Sequence, residues 1–183
     1  MLGHSISSRR PDLDIREPDN VVAALEGTTH PRVLVTSNYG WEDRYIDSLS
    51  SGDWVSTVGA GYDNFPLTTF SEANITFTNS AGVNAQQVAE HVFATALSFT
   101  RNLWTYREQQ QAHDWTHHGQ TMTDFAGDTC CIIGLGNIGE AVAERATAFG
   151  MSVRGVKRTV ADYDGVTERV YHAHEFRDAL ADA

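Results

Sequence analysis

Apolar and polar positions along this chain change period several times, and those changes predict its elements. The runs "RVLVTS" (Arg32 to Ser37), "WVSTVG" (Trp54 to Gly59) and "NITFTN" (Asn74 to Asn79) are short and β-branched, end in turn residues, and read as strands. Between them, Trp41 to Ser50 and the stretch near Pro66 to Ala73 read as helices. Strand and helix in alternation imply a parallel sheet covered by helices, because parallel strands need crossover connections. A longer helix is predicted from Asn84 to about Gln111. Asn84 and Gln87 resemble a capping box, and Val88, Val92, Ala96, Phe99 and Leu103 form an apolar stripe. The polar segment "QAHDWTHHGQTMTDFAGD" follows without a clear period and reads as an arm or linker.

Beyond the arm the period changes again. "TCCIIG" reads as a buried strand, Gly134, Gly136 and Gly139 as a turn, the next residues as a helix to Phe149 with Gly150 as C-cap, and "MSVRGV" as a second strand. This is G-x-G-x-x-G in the setting that gives the motif its meaning; without that setting, a purely structural turn is the alternative. Gly134 permits the tight turn, Gly136 lets the backbone approach a pyrophosphate, and Gly139 lets helix and strand pack closely. The helix start then offers free N–H groups around Asn137 and Ile138 to the phosphates.

About 20 residues past such a turn, an acid usually holds the ribose hydroxyls of NAD. Here Lys157, Arg158 and Thr159 occupy that place. Their charge suits the additional 2′-phosphate of NADP, with NAD as the other possible cofactor. The competing reading is an exposed basic pair on a turn.

Composition narrows the partners. The net charge is −11, and the thirteen basic residues comprise twelve arginines and a single lysine, Lys157. Nucleic acid and anionic membrane are therefore excluded as expected partners. An acidic, lysine-poor surface is read as adaptation to high salt, where cations screen self-repulsion; an ordinary acidic protein from a GC-rich genome is the alternative. No apolar run approaches the roughly 18 residues that cross a bilayer, and no leader is evident, so the expectation is a soluble, cytoplasmic protein. Cys130 and Cys131 are adjacent in a predicted buried strand and read as small core residues, not as a disulfide or metal site.

Three motifs, "VGAGYDNFPL" (Val58 to Leu67), "TNSAGVNAQQVAEHVFATALSFTRNL" (Thr78 to Leu103) and "FAGDTCCIIGLGNIGEAVAERATAFGMSVRG" (Phe125 to Gly155), resemble in order and spacing the D-isomer-specific 2-hydroxyacid dehydrogenases. The resemblance implies an α/β protein with a flavodoxin-like substrate domain (residues 1–99), an interdomain helix end and arm (100–126), and an incomplete Rossmann dinucleotide-binding domain (127–183). It implies reversible NAD(P)-dependent reduction of a small 2-keto acid to a D-2-hydroxy acid.

By the same resemblance, the loop at Gly59, Ala60 and Gly61 would hold the substrate carboxylate through backbone N–H groups near Ala60 and Gly61, a simple strand-to-helix turn being the alternative, and Asn38, Tyr39 and Gly40 would form a second wall of that site. Glu90 or His91 would face the nicotinamide, although for His91 a hydrogen-bonded interface role is favoured over catalysis. The long helix and the arm would form a homodimer contact. The family's catalytic Arg, acid and His have no counterpart in these residues and are expected beyond Ala183; His113, His117, His118, His172 and His174 read as surface residues. The alternative is a noncatalytic, nucleotide-sensing or dimerising protein of the same fold.

Overall fold

A computed structural model describes residues 8–183 except 27, 30, 118–121 and 182. Its contacts divide the chain into two compact units, Met1–Ala81 and Gly82–Ala183. The long helix therefore groups with the second unit, whereas the sequence reading counted residues up to 99 with the first. His118 and the middle of the arm lie outside the described residues.

The first unit is a three-stranded parallel sheet of order β1-β2-β3, made by Val33–Thr36, Trp54–Thr57 and Thr76–Thr78. Helix α1 (Val21–Glu26), a 3-10 segment (Asp43–Ser48) and helix α2 (Leu67–Glu72) accompany it. Three neighbouring strands in chain order match one side of the flavodoxin-like order 2-1-3-4-5. The predicted helix at Trp41 to Ser50 is thus a tighter 3-10 coil, in keeping with its short length. Trp41, Tyr45, Val55, Phe65, Phe70 and Ile75 form the core, in which Trp41 meets Phe70 edge-on at 5.3 Å.

At the amino ends of β1 and β2 lies a buried ion pair. Arg32 Nη2 donates to Asp53 Oδ2 at 2.6 Å, with side chains 8% and 0% exposed. The carboxylate also accepts the backbone N–H groups of Arg32 and Ser50, each at 2.9 Å. The guanidinium donates further to the carbonyls of Leu25 and Ser48, tying α1 and the 3-10 segment to the sheet.

The second unit contains helix α3 (Ala85–Thr100), helix α4 (Leu103–Ala112), strand β4 (Thr129–Ile133), helix α5 (Asn137–Ala148), strand β5 (Ser152–Lys157), strand β6 (Arg169–His172) and helix α6 (Phe176–Leu180). Its sheet is parallel, in order β4-β5-β6. The third strand was not foreseen, because "RVYH" is short and carries polar ends.

Three further expectations need correction. The single helix is two, since Asn102 adopts φ 53 and breaks it. Asn84 makes no side-chain cap hydrogen bond, so the capping box does not form. The buried face is Ala85, Ala89 and Phe93, while the stripe named from sequence leaves Val92, Leu103 and, at 80%, Phe99 exposed. Size decides this: alanines let α3 approach α5, with which they share one buried cluster, where larger side chains would hold the helices apart. Phe93 then stacks on Phe149 at 5.1 Å.

Helix α5 ends as predicted. Gly150 has φ 78, its N–H bonds the Thr147 carbonyl, and the N–H of Met151 reaches back to Ala146, the two hydrogen bonds of a Schellman motif. Cys130 and Cys131 are free and half-buried, and burial raises both thiol pKa values, so they behave as core residues.

Candidate functional site

Each unit presents loops at the carboxyl ends of its parallel strands, where open α/β sheets collect ligands. In the first unit, Asn38 follows β1 and accepts a hydrogen bond from Thr57 Oγ1 at 3.2 Å; Gly59 N–H donates to the same hydroxyl at 3.3 Å. The residues after β3 complete the support: Asn79 Nδ2 donates to the Ala60 carbonyl at 2.6 Å, and Ser80 N–H to the Gly59 carbonyl at 3.1 Å. The carbonyls of Gly59 and Ala60 are thus turned toward protein donors. No acceptor among the described residues takes the N–H of Ala60 or Gly61. A Cβ at Gly61 would stand 2.7 Å from Asn38 Nδ2, so the glycine is what lets the asparagine lie against this loop. Gly40 closes the β1 turn on Ser37, while Tyr39 is fully exposed. Sequence reasoning named Asn38 and missed Thr57, Asn79 and Ser80, which support the loop without lining it.

In the second unit the glycine turn is keyed into the sheet. Gly134, at φ 106, and Leu135 both donate their N–H to the Val156 carbonyl, at 2.9 and 3.2 Å. The Leu135 side chain is buried in the notch left by Gly155 of β5, where any Cβ would collide with it. Gly139 lies against the Gly134 carbonyl, so a side chain there would break the turn. Gly136, by contrast, has open space around the position of a Cβ. It is the N-cap of α5, and behind it the backbone N–H groups of Asn137, Ile138 and Gly139 begin the helix with no intrahelical acceptor.

A groove of about 430 Å³ runs along this end, lined by Ile133, Gly134, Leu135, Gly136, Val156, Lys157, Arg158, Thr159 and Ala173. The turn and the basic strand end predicted from sequence therefore border one space. Asn137 instead packs beside Gly82, and Ile138 is exposed. On α3, Glu90 stands 3.6 Å from Arg145 of α5, and Gln86 accepts from the same arginine at 2.7 Å, so this acid is engaged within the unit. His91 is exposed. A loop of residues 158–168 returns over the strand end: Tyr163 donates its phenol to Glu140 Oε2 at 3.0 Å, Thr167 Oγ1 lies 2.7 Å from the same phenol oxygen, and Lys157 Nζ lies 5.4 Å from the ring centroid. Sequence reasoning did not single out Leu135, Tyr163, Glu140 or Thr167.

A parallel strand, a glycine turn keyed under the helix and a second parallel strand form a dinucleotide-binding half-fold, and residues 93–183 match the family model "D-isomer specific 2-hydroxyacid dehydrogenase, NAD binding domain". The chain belongs to the D-isomer specific 2-hydroxyacid dehydrogenase family. It is 29% identical over 125 residues to a D-3-phosphoglycerate dehydrogenase of Bacillus subtilis, covering 68% of this chain and 24% of that protein. It is 31% identical over 137 residues to a hydroxyphenylpyruvate reductase of Plectranthus scutellarioides, covering 74% and 44%. A crystal structure of a D-isomer specific 2-hydroxyacid dehydrogenase family protein from Aeromonas salmonicida superposes with a TM-score of 0.75 at 27% identity, over 98% of this chain and 56% of that one. The chain thus spans a quarter to under half of the length of these curated relatives of the family. Among the described residues, no helix is long and apolar enough to cross a membrane.

Proposed function

We propose that the chain is the cofactor-holding and carboxylate-holding portion of a D-2-hydroxyacid dehydrogenase that interconverts a small 2-keto acid and a D-2-hydroxy acid, with NADP(H) preferred to NAD(H). The observation that carries this reading is the shared groove: Gly134 and Gly136 border it on one side, Lys157, Arg158 and Thr159 on the other. The residues fit a dinucleotide. Gly136 leaves space for a pyrophosphate at the α5 N-terminus, where the unpaired N–H groups favour negative charge. At the strand end, Arg158 offers a fork of donors to a 2′-phosphate, Lys157 a point charge and Thr159 a hydroxyl.

Each charged hydrogen bond is worth about 1.5–3 kcal/mol, so one net contact gives roughly a tenfold preference. In about 1 M salt the screening length falls to about 3 Å, so direct contact, not long-range attraction, has to supply that preference. In the first unit, the N–H groups of Ala60 and Gly61 are the candidate donors to the substrate carboxylate, with Asn38 and Gly59 shaping the loop.

When bound, the reduced nicotinamide supplies the hydride. The proton must come from an acid held at the keto oxygen, and among the described residues every salt bridge uses an arginine and none joins a histidine to a carboxylate. The catalytic Arg, acid and His are accordingly assigned outside these residues. The exposed Val92, Phe99 and Leu103 on α3 and α4 are the surface for a homodimer.

Cofactor affinity measured at high salt tests the reading. The unmodified chain should bind NADPH about tenfold more tightly than NADH, and Lys157→Asp with Arg158→Ala should reverse the order. Equal binding of the two cofactors, or an unchanged preference in the double variant, refutes it. Turnover of a 2-keto acid with NADPH by the 183-residue chain at about 1 per second or faster would refute the assignment of the catalytic residues elsewhere.

A further inference from the structure

Lys157 lies at the end of β5, half-buried, with its Nζ over the ring of Tyr163. Among the described residues it makes no salt bridge. The ring is itself held. Its hydroxyl donates to Glu140 Oε2, the Thr167 hydroxyl donates to it, and Thr167 N–H reaches it at 3.4 Å. Burial, together with the Glu140 carboxylate, raises the phenol pKa, which keeps it a donor across the neutral range. Gly165 lies so close that a Cβ would meet the phenol oxygen and stand 2.6 Å from Glu140 Oε2, so the loop closes on the tyrosine only because that position is glycine.

The choice of an aromatic partner has a chemical consequence. A carboxylate beside Lys157 would orient the ammonium but cancel its charge. A ring face orients it while leaving the charge and its N–H donors free for an anion. Glu140, in the first turn of α5, is the nearby acid, and its Oε2 is engaged by the neutral phenol.

We propose that Tyr163 is a positioning residue for the cofactor's 2′-phosphate: it does not line the groove, but it holds the Lys157 ammonium at the groove's lip and keeps Glu140 occupied. This rests on the reading of Lys157 as a phosphate contact. A lysine on its flexible stem loses rotamer freedom when it grips a phosphate, and a side chain already oriented loses less.

The chain's single lysine makes the test direct, because lysine labelled with carbon-13 gives one side-chain spin system. Affinities for NADPH and NADH are measured for the unmodified 183-residue chain, Tyr163→Leu and Gly165→Ala, beside the lysine spectrum of each. In the unmodified chain the Hε signals should be shifted upfield by the ring. Tyr163→Leu should move them to the position of free lysine and weaken NADPH about three- to tenfold, the range for orienting one long side chain, with NADH changed by less than about twofold. Gly165→Ala, which displaces the phenol without removing a packed side chain, should change both readouts in the same direction and keeps the test decisive if the leucine variant does not fold. Retained NADPH affinity in a folded variant whose lysine signal has moved overturns the positioning role alone. An unshifted lysine signal in the unmodified chain also overturns it. Equal affinity of the unmodified chain for both cofactors overturns it through the underlying reading, and is recognised by the absence of any preference to lose.

Discussion

Replacing Asp53 by Ala should be among the most destabilising single changes in the first unit. The carboxylate is fully buried and accepts from the Arg32 side chain at 2.6 Å and from two backbone N–H groups at 2.9 Å. Removing it leaves the Arg32 guanidinium buried without a counter-charge, because the carbonyls of Leu25 and Ser48 hold it in place. An orphaned buried donor costs about 1–3 kcal/mol, and breaking a buried pair from one side costs about 3–5 kcal/mol in total, since the terms overlap. For a unit of this size each kcal/mol is worth about 4–8 °C in Tm, so melting should fall by more than about 12 °C.

Urea denaturation followed by tryptophan fluorescence is suitable because Trp41 is buried in the same core. The loss should be nearly independent of salt, unlike that of the exposed Arg101–Asp124 pair at 2.7 Å. A double change, Arg32→Met with Asp53→Leu, should recover part of the loss, because it removes both charges together but still leaves the Arg32 and Ser50 N–H groups without their acceptor. A single-variant loss below about 1 kcal/mol, or a double variant less stable than the single one, would show that the pair is not a buried staple.

The remaining expectations concern the second unit. Gly139→Ala should abolish binding of both cofactors and destabilise the unit, because its Cβ meets the Gly134 carbonyl, whereas Gly136→Ala should fold normally and lose at least about tenfold in cofactor affinity; circular dichroism and titration separate the two. Asn102→Gly should be neutral or slightly stabilising at φ 53, and Asn102→Val should cost about 1–2 kcal/mol in thermal unfolding. Raising the pH should destabilise the unit through Tyr163. Its phenol pKa is raised above the ordinary tyrosine value, first by burial, so the stability it contributes is complete below that ordinary value and is lost as pH rises through the folded-state pKa. In Tyr163→Phe that alkaline loss should disappear from the stability profile.

How much of this was legible in the sequence depended on whether a feature was local. The strands at Val33, Trp54 and Thr76 were readable because β-branched runs ended in turn residues, and the turn at Gly134 because its glycines are set by backbone geometry. The place of Lys157 and Arg158 followed from chain distance along one helix and one strand. The buried face of α3 was not legible from hydrophobicity, because helix-to-helix contact selects the small Ala85 and Ala89 over Val92 and Phe99. Strand β6 was overlooked because only Val170 and Tyr171 carry its apolar signal. The contact of Tyr163 with Lys157 was out of reach, since a returning loop makes it and no period in the sequence encodes that return.

Leu135 seated at Gly155 bears on how cofactor choice can drift or be engineered. The turn proposed to hold the pyrophosphate is anchored from the core side, by that leucine and by the Val156 carbonyl, while residues 157–159 form an outer lip. Substitutions on the lip leave the anchor untouched, so discrimination between cofactors becomes a dial that turns without loosening the grip. A side chain at Gly155 would do the reverse, expelling the leucine and weakening every dinucleotide alike. On the proposed reading grip and choice are separately heritable, and a library confined to three positions should sample cofactor preference while nearly every member still folds.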